Sequence, residues 1–144
     1  MQVKDVLAHK SGGVATIEPG MSVAEVVAAL AEHGVGALVV SSDRRTIEGI
    51  ISERDVVRAL NTFGPGLLGM EVREIMTVNV HTCVPTDEVR LLARTMTDKR
   101  FRHMPVTTNG ALSGIVSIGD LVKSRMDEME TEHDQLVDYI SSAR

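Results

Sequence analysis

The phrase GIISERDVVR (Gly49–Arg58) comes back sixty-five positions later as GIVSIGDLVK (Gly114–Lys123). Gly, Ile, Ser and Asp recur at the same spacing, and a basic residue closes both copies. An internal repeat constrains a fold more than any local signal. Each copy is one supersecondary unit, and its apolar face must be covered by something beyond itself. The repeat extends upstream. At an offset of 66, TIEPGMSVAEVVAAL (Thr16–Leu30) falls on TCVPTDEVRLLARTM (Thr82–Met96), aligning Thr with Thr, Pro19 with Pro85 and Val23 with Val89. VGALVV (Val35–Val40) falls on FRHMPV (Phe101–Val106), and the lead-ins VKDVL and VREIM are alike.

Each copy reads in one order. A short strand is expected near residues 14–17, and again near 80–83. Helices follow at about 22–33 and 87–99, where apolar residues at 23, 26, 27, 30 and at 89, 92, 93, 96 make one helical face. Two strands come next, joined by SSDRRT in the first copy and TTNGA in the second; Asn-Gly is a strong hairpin signal. A second helix begins at the Ser of the repeated phrase. The Gly/Pro-bearing stretch NTFGPGLLG (Asn61–Gly69) serves as linker. The reading is an α/β (α+β) chain of two pseudo-twofold β-α-β-β-α units packed through their sheets, since one unit of about 60 residues has a marginal core alone. Its boundaries are unit one at 1–61, linker at 62–70, unit two at 71–126 and an acidic helical extension at 127–144.

Charge and composition exclude several functions. Residues 1–126 carry 14 acidic and 14 basic residues, whereas 127–144 carry six acids and one base. No basic stripe marks a nucleic-acid surface, and with two Phe, one Tyr and no Trp there is no stacking platform for single strands. No apolar run approaches the ~18 residues of a membrane span, and MQVKDVLAHK has no apolar segment of a secretory signal. With one cysteine, Cys83, the simplest location is the cytoplasm. The five histidines show no metal-ligand spacing. Cys83 reads as a buried, inert thiol. No nucleophile stands with a base at motif spacing and no Walker loop is present, so an enzyme is not expected.

The repeated phrase carries two chemistries. Ser52 with Asp55, and Ser117 with Asp120, have the spacing of a capping box, which satisfies orphan N–H groups at a helix start. The same geometry suits a nucleotide. A helix N-terminus attracts phosphate, a carboxylate accepts from ribose hydroxyls, and a Ser hydroxyl reaches a phosphate oxygen. The two roles are compatible. Gly119 either lets a ligand approach the turn or simply relaxes it. Arg102 and His103 are phosphate donors or the soluble edge of a strand that Pro105 blunts. Thr16 and Thr82 either follow from the strand preference of Thr or touch a ligand through their side chains. Lys123 and Arg58 either reach phosphate or stand in solvent.

The h-x-x-P before the first helix, the RHMPV run and G-h-h-S-x-x-D before the last, all doubled, resemble a tandem pair of CBS domains, a Bateman module. The resemblance spans residues 3 to 126; SIGDLVK and the long acidic helix resemble small stand-alone bacterial members. It implies regulatory binding of an adenine nucleotide (AMP, ADP, ATP or NAD(H)) in clefts between the two units, and disc-shaped homodimers acting on an unidentified regulated protein. It also implies the site residues. In the second copy they are Thr82, Arg102, His103, Met104, Pro105, Ser117, Ile118, Gly119, Asp120 and Lys123. In the first, weaker copy they are Thr16, Gly36, Ala37, Leu38, Ser52, Arg54 and Asp55. Gly36 and Ala37 stand where the second copy has Arg102 and His103, which predicts unequal sites. The alternative is an interaction scaffold whose sites are vestigial. Past the second copy, Val122, Met126, Met129, His133, Leu136 and Ile140 form a heptad seam. It either folds back on its own body or packs on a partner.

Overall fold

A computed structural model describes residues 1–10 and 13–143; Ser11, Gly12 and Arg144, the last of which ends the acidic extension, lie outside the described residues. The order is α1 (Val3–Ala8), β1 (Thr16–Ile17), α2 (Val23–His33), β2 (Ala37–Val40), β3 (Gly49–Ser52), α3 (Glu53–Phe63), α4 (Val89–Lys99), β4 (His103–Thr108), β5 (Ala111–Ser117) and α5 (Ile118–Ser142). This is the mixed α+β pattern the repeat predicts.

The chain resolves into two compact units built from interleaved segments. One comprises Gly12–Pro85 and Met104–Ile115. Here β1 pairs parallel to β2 (Ile17 opposite Val40), with α2 as the crossover that parallel strands require, and β2 pairs antiparallel to β3 (Val39 opposite Ile50). All four residues of β2 are buried, so the strand is a continuous apolar run without alternation. Ile17, Val26, Leu30, Leu38, Val40, Ile51 and Val72 form its core. The helix α2 starts at Ser22, whose hydroxyl accepts from Glu25 N–H, and stops at Gly34 in the left-handed conformation. Between β2 and β3, Asp43 closes the turn by accepting from the N–H groups of Arg45 and Thr46 at 2.8 and 2.7 Å. Those bonds, that of Thr46 foremost, hold its carboxyl well below the usual carboxylate range. The other turn, Asn109-Gly110, has positive φ at both positions (54° and 81°), the form an Asn-Gly hairpin adopts.

The second unit comprises Met1–Ser11, Thr86–His103 and Val116–Arg144. Within it α1 and α4 pack on α5, and Val3, Val6, Val89, Leu92, Met96 and Leu121 are buried. The 25 residues of α5 make one helix about 37 Å long. Along its seam Val122, Met126, Met129, Leu136 and Ile140 are each at least half exposed, so this face does not fold back on its own unit.

Two expectations are corrected. The strand expected near 80–83 is a single parallel bridge, Cys83 to Val106, with Thr82 exposed beside it. It is nonetheless the counterpart of Ile17 opposite Val40 at the offset of 66. The bond from Ser41 N–H to the Ile17 carbonyl (2.8 Å) returns as Thr107 N–H to Cys83 (2.9 Å). The repeat is thus kept in backbone bonding where the strand itself has shrunk. Nor is the linker slack chain. Asn61–Phe63 complete α3, and Gly64–Gly69 form a 3-10 turn that buries Leu67 against Val23 and Ala59. One leucine fully removed from water accounts for roughly 2 kcal/mol, enough to hold so short a turn in place.

Candidate functional site

The two copies of the phrase become two strand-to-helix turns. In the first, β3 ends at Ser52, which is extended (φ −116°, ψ 164°) and caps α3. Asp55 N–H donates to Ser52 Oγ at 3.2 Å, while Ser52 N–H donates to Asp55 Oδ2 at 2.9 Å. In the second, β5 ends at Ser117 (φ −105°, ψ 160°), and the reciprocal bonds with Asp120 are 3.0 and 2.9 Å. Each turn is pinned at its other side by an equivalent bond. Glu53 N–H donates to the Gly36 carbonyl at 2.9 Å, and Ile118 N–H to that of Arg102 at 2.8 Å. The aligned positions 36 and 102 therefore lie against the first helical N–H of their own copy.

The capping reading is thus realised at both turns, and both Asp residues are half-buried with the acceptor edge a diol requires. They differ in one respect. Asp55 takes its bonds from Ser52 alone among the described residues. Asp120 also receives Lys10 Nζ on Oδ2 at 2.9 Å, from just past the end of α1. Burial opposes ionisation of Asp120, but the Lys10 bond and charge, with the N–H and hydroxyl of Ser117, outweigh it and hold the carboxyl below its ordinary 3.8. Lys10 had no signal in the sequence. It reaches Asp120 across 110 residues, from the first copy of the repeat to the second.

The remaining candidates divide between the units. Arg102, His103, Ser117, Ile118, Gly119, Asp120 and Lys123 share the unit of α1, α4 and α5. Thr16, Gly36, Ala37, Leu38, Ser52, Arg54, Asp55, Thr82, Met104 and Pro105 belong to the other. Arg102, Lys123 and Arg54 are exposed and His103 is half-buried. Leu38 and Met104, at 1% and 2% exposure, are core side chains that can offer a ligand only backbone. Pro105 is buried, and its carbonyl accepts from Cys83 N–H at 3.0 Å, so it lies inside the bridge rather than blunting an open edge. A Cβ on Gly119 would meet only Ser117 Oγ, at an ordinary 3.6 Å, so nothing in the chain itself demands glycine there. A pocket of about 350 Å³ borders Asp120, with His9, Lys10, Lys123 and Asp127 among its lining. No described helix is long and apolar enough to cross a membrane.

Comparison with known proteins gives this geometry its context. The sequence model of the CBS domain matches residues 3–62 and again 72–127. A mitochondrial CBS domain-containing protein of Arabidopsis thaliana, CBSX3, is 36% identical over 123 residues, covering 83% of this chain and 60% of that protein. The chain thus spans less than two thirds of that relative's length. Among solved structures, a CBS-domain containing protein from Agrobacterium tumefaciens superposes with a TM-score of 0.83 at 42% identity, covering 87% of this chain and 99% of the other. A CBS domain protein from Pyrobaculum aerophilum, complexed with AMP, gives 0.72 at 27% identity, covering 83% and 89%. The CBS domain pair of protein MJ0100, in complex with 5-methylthioadenosine and S-adenosyl-L-methionine, gives 0.78 at 25%, covering 89% and 98%. With two matched copies spanning most of its length, the chain belongs to the CBS domain family as a tandem pair.

Proposed function

We propose that this protein is a non-enzymatic regulatory module that binds an adenine nucleotide, AMP, ADP, ATP or NAD(H), at its repeated strand-to-helix turns. The observation that carries the reading is the pair of half-buried Asp residues, each held at the third position of a helix whose N-terminus favours phosphate. Related structures hold AMP, methylthioadenosine or S-adenosylmethionine, whose shared part is adenosine. A ribose-binding carboxylate is what that shared part needs. Asp120 is the ribose acceptor of the stronger site, with Ser117, Arg102 and His103 toward phosphate. The first-copy site lacks the basic pair and is the weaker. Calorimetric titration with AMP, ATP, NADH and S-adenosylmethionine tests this. Binding that Asp120→Ala weakens at least tenfold is expected, and no binding of any of them would sink the proposal.

The module works as a cytoplasmic homodimer that passes ligand state to a partner protein. The exposed seam of α5 favours a second copy as its occupant. Arg125 and Glu130 flank the seam where coiled-coil helices exchange ion pairs, an exchange for which Arg125 would leave Glu128 of its own helix, which it meets at 3.0 Å. A scaffold with vestigial sites is the rival, favoured by the fact that both capping boxes close without ligand.

A further inference from the structure

We infer that Lys10 is a ligand-binding residue of the second-copy site, donating to a ribose oxygen while Asp120 accepts from the neighbouring hydroxyl. The inference rests on the proposal that an adenosine-bearing ligand seats at the start of α5. Five acids in the described chain take the backbone N–H of the residue three before them, all at 2.9 Å: Asp5, Glu25, Asp55, Glu74 and Asp120. Four of these caps close with no lysine or arginine on the acid. A cap therefore does not need one. Only Asp120 is met by Lys10, and Asp120 is the acid that borders the 350 Å³ pocket.

Stability does not account for the pair either. Its side chains are 37% and 28% exposed, and ion pairs so placed contribute about 0–1 kcal/mol. For a diol the arrangement is functional in both senses. A carboxylate only accepts and an ammonium only donates, so a side-by-side pair can serve both oxygens of one ribose edge. The bonds from Ser117 N–H and Lys10 Nζ both land on Oδ2, which presents Oδ1 to an O–H. Of the second-copy candidates the pocket beside the pair carries Asp120 and Lys123, with His9 and Asp127 also in its lining, and its volume lies in the range of small-molecule sites. Among the described residues, the first copy has no such pairing at Asp55. The two sites then differ in ribose recognition as well as in the Arg102 and His103 pair.

The test compares AMP with 2′,3′-dideoxy-AMP, titrated into wild type, Lys10→Met and Lys10→Arg. Lys10→Met should weaken AMP about tenfold, the effect of one charge-assisted hydrogen bond. It should leave the weaker dideoxy binding unchanged, and Lys10→Arg should recover part of the AMP affinity. Equal losses for both compounds, unchanged AMP affinity or tighter AMP binding in Lys10→Met would each overturn the inference while leaving nucleotide binding intact. Wild-type protein that takes neither compound, nor ATP, NADH or S-adenosylmethionine, would sink both readings together. Lys10 is exposed, so the variants should melt as wild type does, and a melting curve checks this.

Discussion

Gly49 opens the first copy of the repeated phrase, and the structure shows why no larger residue stands there. A Cβ at this position would lie 2.6 Å from Met76 Sδ, 2.9 Å from its Cγ and 3.0 Å from the Thr77 carbonyl oxygen. Thr77 is tied to Ile50 by two backbone bonds of 2.9 Å, so its carbonyl cannot retreat without loosening them. Met76 can swing, but it is packed on the core cluster around Ile17 and Leu38. Overpacking of this kind costs about 1–3 kcal/mol. Gly49 lies outside the left-handed region, so alanine also recovers about 0.4–1 kcal/mol by restricting the unfolded chain. The net expectation for Gly49→Ala is a loss of about 1–2 kcal/mol. For a chain of this size that lowers Tm by about 3–6 °C. Urea unfolding should show a lower midpoint with an unchanged slope. The cause is checked with Met76→Ala. If the clash is with the thioether, Gly49→Ala costs less in the Met76→Ala background than in wild type. A Gly49→Ala protein as stable as wild type, or strictly additive costs, would refute the steric account.

Three further outcomes are expected. Arg100 ends α4 in the left-handed conformation (φ 59°) that Gly34 adopts at the end of α2, so Arg100→Gly should stabilise by about 1 kcal/mol in chemical denaturation. Because the folded carboxyl of Asp120 is held below its ordinary 3.8, its contribution is present above that value and lost as pH falls through the folded one. Asp120→Asn should therefore be less stable than wild type at pH 7 by about 1 kcal/mol, with the gap closing on acidification below pH ~4 in pH-dependent melts. Met129→Glu places a charge mid-seam on α5, and light scattering should show a dimer becoming monomer while the circular dichroism spectrum stays the same.

Much of this fold could be read from periodicity. The face at 23, 26, 27 and 30 became α2, with Val23, Val26 and Leu30 buried. Asn109-Gly110 became the hairpin turn, and both Ser residues became caps. At Cys83 strand preference yields one bridge, because residues with that preference form a strand only where a neighbour supplies several bonds. The 3-10 turn at Gly64–Gly69 carries no local pattern, because Leu67 within it is held against Val23, far back in the chain, as well as Ala59.

The sequence by itself determined the doubled unit, the two capped helix starts and the inequality of the copies at positions 36 and 102, because local bonding and short periodicities are written in neighbouring residues. Tertiary structure alone decided which groups meet those starts. It set Lys10 on Asp120 and left Asp55 to its own serine. It also buried the side chains of Leu38 and Met104 in the core and left the seam of α5 uncovered. The physical reason is sequence separation. A contact across 110 residues depends on how whole elements pack, and no local pattern records it.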